Sequence, residues 1–388
     1  MRIGRIAATV LVASACQLPL LAKCPIPDNG TLVVRAPVGN LLVDTKGQGF
    51  VDVTVTNKDI QVHENCLADR VELTGTAARA LNGSADWKIT VPAGVQLDLL
   101  TDGGSIQVGD SDGNVTLRTT GGPVTAGNIR GRVAIVTQGG SIKAGNIGNN
   151  AEMRSLGGPI EAGNIAGDAE LWTSSGSIDV GVVAGYVNAE TGGGNITIRE
   201  SRGAVKAETQ AGNISVGLAG PTTVKTAGGN LIFRKILGFF KGATANGDIR
   251  LDSVSSWVEA TTGSGNIVCR LEPDNLEGDR HVELTTGMGD ITLSIPEKLS
   301  AQIRAVVEQT GLSSQRISQR IVSDFPAPSG SPVSTRNPGP TGTQNPQPTA
   351  GFFGRDPVAS MRYEAVLNQG KNRIRLTSKQ GTIEIRRR

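Results

Sequence analysis

One motif recurs through the middle of the chain: a glycine followed two residues later by an aliphatic side chain. The spacing is 18 residues at every step except one of 17, and an eleventh copy follows after 24 residues. The aliphatic residues are Ile106, Val124, Ile142, Ile160, Ile178, Ile196, Ile214, Leu231, Ile249, Ile267 and Ile291. A fixed period of this length predicts a solenoid, in which each repeat adds one coil to a continuous stack.

Other positions keep the same register. A second small or apolar residue follows two positions after each aliphatic, and this period-two spacing places both on one face of a short strand. A Thr or Ser ladder runs from Thr101 to Thr286 before the glycines, and Asn128, Asn146 and Asn164 form a shorter one at another corner. Gly and Asn suit tight corners. We therefore predict an all-β, single-stranded, β-helix-like solenoid with 18-residue coils.

The composition agrees with a narrow core. Glycine accounts for 52 of 388 residues and aromatic side chains for only 3%. A core one side chain deep has no room for many large rings, which otherwise fill the interior of a wide domain. The net charge is +3 and long basic runs are absent, which argues against a nucleic-acid partner.

The predicted organisation has six parts. Residues 1–22 form a signal peptide, 23–95 an N-terminal β cap with strands of irregular length, and 96–310 the solenoid. Residues 311–325 end the solenoid, and 326–356 form a flexible loop rich in Pro, Gly and Ser. Residues 357–388 return as strands that complete a last coil, because Ile374, Leu376, Ile383 and Ile385 repeat the coil spacing.

The first residues predict export. Arg2 and Arg5 precede an apolar stretch that is too short to span a membrane. Cleavage after Ala15 or after Ala22 fits the sequence, and Cys16 is a candidate for lipidation. The mature chain is expected in the periplasm, in the outer membrane or at the cell surface.

The remaining cysteines fit this compartment. Cys24 and Cys66 are candidates for one disulfide outside the cytoplasm. Cys269 occupies a repeat position that holds Val, Ala or Leu in other coils, so we expect a buried, unreactive thiol.

The repeated Thr-x-Gly-Gly-x-Ile motif, introduced by the segment from Trp87 to Val95, resembles the bacterial putative-adhesin family of toast-rack, or β-strand-repeat, proteins. The resemblance covers most of residues 31–310 and the tail. It implies an exported β-solenoid, often on a lipoprotein or membrane anchor. The family pattern defines no catalytic residue. The Pro-rich segment is a departure from the family pattern.

Candidate chemical sites are few. Asp110, Asp112 and Asn114 form a turn with a faint likeness to a calcium loop, but the remaining ligands are missing and a solvated turn is the preferred interpretation. His63 and His281 are far apart in sequence, which argues against a metal site. The sequence has no Ser/His/Asp arrangement, phosphate loop or paired CxxC. We predict no catalytic residue, no cofactor and no enzymatic activity.

One segment breaks the repeat with a concentration of apolar residues. It contains Phe233, Ile236, Leu237, Phe239 and Phe240. These residues either cover an irregular place in the core or form an exposed patch that contacts a membrane or a partner.

Three functions follow as hypotheses. The leading one is a noncatalytic, adhesin-like protein that presents a rigid surface to a protein or glycan at the cell envelope. The second is a structural module that self-associates through open solenoid ends. The third is a β-helix carbohydrate-active enzyme, which would need a cleft with convergent acidic and basic side chains.

Overall fold

The structure is a computed structural model, and it describes residues 23–57, 59–77, 85–309, 320–326 and 359–388. Every regular element in these ranges is a β-strand. The strands form two long sheets that face each other across one narrow core. The predicted single-stranded β-solenoid is therefore confirmed.

Each regular coil contributes one strand to each sheet, and strands of successive coils pair in parallel. The regular strands of the first sheet are β8 (Gln96–Thr101), β10 (Val115–Thr119), β12 (Val133–Thr137), β14 (Ala151–Ser155), β16 (Ala169–Thr173), β18 (Val187–Thr191), β20 (Val205–Thr209), β22 (Thr222–Thr226), β24 (Phe240–Asn246), β26 (Val258–Ser264) and β28 (Val282–Met288). Those of the second sheet are β9 (Ile106–Val108), β11 (Val124–Ala126), β13 (Ile142–Ala144), β15 (Ile160–Ala162), β17 (Ile178–Val183), β19 (Ile196–Ser201), β21 (Ile214–Ala219), β23 (Leu231–Ile236), β25 (Ile249–Val254), β27 (Ile267–Leu271) and β29 (Ile291–Ile295).

Equivalent residues stack directly on one another. Ile142 pairs with Ile160, which pairs with Ile178, and all three side chains are buried. On the third side of the coils, Ile129 and Ile147 are linked by isolated bridges that extend to Val183. The core is therefore a set of aliphatic columns, as the repeat predicts.

The Thr ladder explains how the corner between the two sheets is held. The Thr191 hydroxyl donates to the carbonyl of Gly176 in the previous coil at 2.7 Å and accepts the amide of Gly194 at 3.2 Å. Thr173 repeats both bonds with Gly158 and Gly176. These buried hydroxyls satisfy corner backbone groups that the sheets leave unpaired.

At the N-terminal end, the order of coils differs from the order of the chain. The strands there are β1 (Cys24–Pro25), β2 (Thr31–Ala36), β3 (Asn40–Asp44), β4 (Phe50–Val55), β5 (Ile60–Cys66), β6 (Arg70–Ala77) and β7 (Asp86–Thr90). The coil of β2 and β3 lies between the coil of β6 and β7 and the first regular coil. Antiparallel strands then cover this end, with β5 on β6, β4 on β7 and β1 on β4.

The C-terminal end has a similar exchange. Its strands are β30 (Ala301–Gln309), β31 (Ile321–Ser323), β32 (Ala359–Leu367), β33 (Asn372–Gln380) and β34 (Ile383–Arg387). The tail strands β33 and β34 form a coil, but it lies between the coil of β28 and β29 and that of β30 and β31. The tail is thus not the last coil of the stack, because β30 and β31 lie beyond it and β32 pairs antiparallel on β30.

Candidate contact surface

The predicted patch at residues 233–240 is mostly core. Phe233, Ile236 and Phe240 are fully buried, and the two phenyl rings meet edge to face at 5.2 Å between centroids. Gly242 provides the space, since a Cβ there would lie 2.3 Å from the ring of Phe240. These three residues are therefore unavailable to a partner, so the core interpretation applies to them and the contact-patch interpretation is wrong for them.

The other two patch residues reach the surface. Leu237 is half exposed, and the partly exposed Phe239 stacks on Trp257 at 4.3 Å with ring planes 3° apart. His281 stacks on the other face of Trp257 at 5.0 Å. Phe239, Trp257 and His281 each directly precede an inward residue, one in each of three successive coils. Their spacing in the sequence could therefore have revealed this column of stacked rings. Because the rings cover each other's faces, the column stabilises the corner and leaves mainly ring edges to a ligand.

Charged groups brace this aromatic column. Lys241 pairs with Glu259 at 2.9 Å, and His281 Nδ1 lies 2.8 Å from a carboxylate oxygen of Asp279. The hydrogen bond from Lys241 holds the pKa of Glu259 below its usual value. Burial alone would raise the pKa of Asp279, but hydrogen bonds from His281 lower it. The carboxylates here are stabilised as anions by existing partners, an arrangement suited to structural ion pairs.

The outward face of the first sheet carries side chains of varied chemistry. One outward row contains Arg118, Val136, Arg154, Trp172, Glu190, Glu208 and Lys225, in register on successive strands. The regular backbone below holds these side chains at fixed separations of about 4.8 Å along the stack. This face is therefore a rigid platform rather than a cleft.

Trp172 is the large aromatic residue at the centre of this row. It lies between Arg154 and Glu190 on the neighbouring strands, and its side chain is half-buried. Nearby, the exposed Tyr186 donates from its hydroxyl to Glu170 at 2.7 Å. We call these five residues the Trp172 platform. It combines an apolar ring with guanidinium, carboxylate and phenol groups.

The third side of the coils carries an open trough of about 590 Å³. The Asn ladder lines one wall: Asn146 donates its backbone amide to the side-chain oxygen of Asn128, and Asn164 does the same to Asn146. Asp110 begins this ladder by accepting the Asn128 amide at 2.6 Å. A second ladder, which the sequence analysis missed, runs from Asn195 through Asn213 to Thr382.

Cys24 and Cys66 are joined by a disulfide, with their Cα atoms 5.7 Å apart. It connects β1, at the end of the second sheet, with β5, at the end of the first. The carboxylate of Glu64 lies beside this bond, and burial raises its pKa. The disulfide therefore ties together the two strands that cover the N-terminal end.

The other candidate residues are dispersed. Cys269 is a buried free thiol whose pKa burial raises to about 12. His63 lies on the outer strand β5, far along the stack from His281, and its Nε2 contacts the Thr76 hydroxyl. Asp112 pairs with Arg130 at 3.2 Å.

Cys16, the signal peptide and nearly all of the Pro-rich segment 326–356 lie outside the described residues. In the part of the chain that the structure describes, no helix has the length and apolar character needed to cross a membrane.

The fold places the chain in the class of single-stranded β-solenoids with capped ends. Within that class, residues 240–323 match the model of the Toastrack DUF4097 family. The matched segment begins at β24 and includes β31, the last strand of the end coil. The resemblance that the repeat predicts is therefore confirmed for this segment of the chain.

Two solved structures are similar to this chain at low identity. A putative adhesin from Bacteroides fragilis NCTC 9343 is 16% identical, covers 59% of this chain and 94% of its own, and has a TM-score of 0.23. A putative cell adhesion protein from Clostridium sporogenes ATCC 15579 is 9% identical, covers 94% and 97%, and has a TM-score of 0.16. Scores this low carry no argument about the present chain. No curated protein matches the sequence.

Proposed function

We propose that the chain is a noncatalytic, adhesin-like protein of the cell envelope that holds a glycan on the outward face of its first sheet. The observation that carries the proposal is the Trp172 platform on a rigid sheet. The C–H face of a pyranose ring stacks on an indole, while neighbouring charged and hydroxyl groups hydrogen-bond its hydroxyls.

The electrostatics support binding rather than chemistry. Catalytic acids and bases usually have a strongly shifted pKa and sit together in a cleft. Among the described residues, the carboxylates with a lowered pKa are Glu72, Glu259 and Asp279, and each faces a cationic or histidine partner. They lie on an open surface, where ion pairs account for their shifts.

Export to the envelope is part of the proposal. The charged start followed by an apolar stretch supports it, and so does the disulfide, since such bonds persist outside the cytoplasm. Mass spectrometry of the mature N-terminus, together with membrane fractionation, tests lipidation at Cys16 and the compartment. An unprocessed chain in the cytoplasm would overturn this part.

Binding is tested by co-sedimentation with purified insoluble cell-wall polysaccharides. We expect Trp172→Ala to weaken binding at least tenfold, because the stacking surface is lost. Val268→Ala is the matched control, since Val268 is an outward, 42% exposed residue of the second sheet. Equal binding by Trp172→Ala and the unchanged protein would contradict the platform. Release of reducing sugar ends, abolished by a carboxylate substitution, would contradict the noncatalytic assignment.

A further inference from the structure

The strand β32 forms the C-terminal edge of the first sheet. It pairs antiparallel with β30 over nine residues, from Ala301 opposite Leu367 to Gln309 opposite Ala359. In the described part of the chain, no strand pairs with its other edge. A nine-residue edge with unpaired backbone groups can accept another strand.

Its side chains are firmly oriented. Met361, Tyr363, Ala365 and Leu367 face the core, and the buried Tyr363 hydroxyl donates to the carbonyl of Phe325 and accepts from Ser323. The outward row consists of Ser360, Arg362, Glu364 and Val366. The strand therefore presents a fixed pattern of charge on its outward face.

This pattern is complementary to itself in one register. In an antiparallel pair, directly opposed residues face the same side of the sheet. If two copies of β32 pair about a two-fold axis at Tyr363, all nine residues overlap, and Arg362 of each copy faces Glu364 of the other. Moving the axis to Arg362 or to Glu364 shortens the overlap and places like charges opposite each other. The register with the longest overlap is thus also the one that places opposite charges across from each other.

The charged side chains at this edge remain accessible to a second copy of the chain. Glu364 contacts Arg304 of the same chain at 3.6 Å, and its side chain is 65% exposed. Arg362 is exposed and has no ion pair among the described residues. Val366, which would face Ser360 of the second copy, is 66% exposed.

The N-terminal edge differs. The outer strand β5 has Gln61, His63 and Asn65 outward, without opposite charges to pair. Its inward row includes Glu64, whose carboxylate lies against the disulfide. An interface at one end only, with the same patch on both copies, closes as a dimer and does not propagate as a filament.

We propose that the protein forms a two-fold dimer through antiparallel pairing of β32 with β32 of a second copy, centred on Tyr363. The first sheet then continues from one solenoid into the other, and the two outward faces point the same way. This arrangement would present two Trp172 platforms on one rod, although the dimer itself does not depend on what those platforms bind.

Sedimentation velocity over a range of protein concentrations tests the proposal. We expect the full chain to dimerise, and Arg362→Glu or Glu364→Arg alone to weaken the dimer at least tenfold, because each puts like charges opposite. Mixing the two variants should restore a heterodimer, in which two carboxylates of one chain would face two guanidinium groups of the other. Circular dichroism on heating checks that both variants are folded.

Cross-linking tests the register. In the double variant Ser360→Cys and Val366→Cys, an oxidant should produce a covalent dimer, since the two positions face each other across the axis. Ser360→Cys alone is the control, because its two copies would be about 20 Å apart along the strands. A monomer at all concentrations, as expected if residues 327–358 of the same chain cover the edge, would overturn the proposal. Growth beyond two copies, or failure of the mixed variants to pair, would also overturn it.

Discussion

At the residue scale, the absence of a single methyl group allows adjacent coils to meet at the corner after Thr191. A Cβ on Gly194 would lie 2.1 Å from the carbonyl oxygen of Gly176 in the coil below. The neighbouring Gly193 has open space, with its closest contact at 3.8 Å. Neither has a positive φ, so close approach of backbones alone distinguishes the two positions.

We therefore expect Gly194→Ala to lower the free energy of unfolding by about 3 kcal/mol or more, since the clash is with backbone that cannot move locally. Gly193→Ala should stay within about 0.5 kcal/mol of the unchanged protein. Urea denaturation followed by circular dichroism measures both. Equal effects of the two substitutions would show that this corner is not tightly packed.

Cys269 provides a pH prediction. Burial raises its pKa to about 12, whereas the pKa of a thiol in an unfolded chain is about 8.5. The stability that comes from keeping the thiol neutral is complete below pH ~8.5 and declines as the pH rises toward 12. Cys269→Val should make the urea midpoint less sensitive to alkaline pH.

In the native protein, iodoacetamide at about pH 8 should leave the Cys269 thiol unmodified. Alkylation as fast as in the unfolded chain would contradict its burial.

At the scale of elements, the tail coil is held on two sides. The strand β33 pairs with β28 below and with β30 above, and Leu376 faces the core between Leu284 and Ala305. Truncating this side chain should cost about 2–5 kcal/mol, the usual range for a buried Leu→Ala change.

Hydrogen exchange distinguishes an inserted coil from a terminal one. We expect Leu376→Ala to speed exchange in both β28 and β30, since it loosens the coil that joins them. Ile303→Ala in β30 is the control, and its effect should centre on β30 and its neighbours β32 and β33. If Leu376→Ala speeds hydrogen exchange in β28 and leaves exchange in β30 unchanged, the placement of the tail coil between these two strands is wrong.

The sequence predicts the coils well because their period, inward residues and corner glycines all repeat within a few residues. It also predicts that Ile374 and Leu376 belong to a coil. It does not predict where in the stack that coil lies, because every coil has a similar aliphatic pattern and parallel pairing accepts any neighbour. The sequence left open whether Phe240 belongs to the core or to a contact patch for a related reason: its burial depends on the space left by Gly242.

At the scale of the whole molecule, the strand edges at the two ends of the stack determine whether strands of another molecule can pair with it. The antiparallel strands β5 and β32 cover the ends of the first sheet, so neither end of this sheet presents a regular coil edge to another molecule. Open parallel edges, on which the hypothesis of end-to-end assembly was based, are absent from the described part of this sheet. Association through the ends of the first sheet must therefore use these covering strands.

The N-terminal cover depends on one covalent bond. Cys24 and Cys66 are 42 residues apart in sequence, and closing a loop of that length stabilises the folded chain by about 4 kcal/mol in the chain-entropy model. Cys66→Ser should therefore lower the urea midpoint. It should also increase hydrogen exchange in β1, β5 and β6, while β28 and β33 at the other end remain protected, because a solenoid transmits stability mainly between neighbouring coils. Loss of protection along the entire stack would instead mean that the cap nucleates the fold of the whole rod.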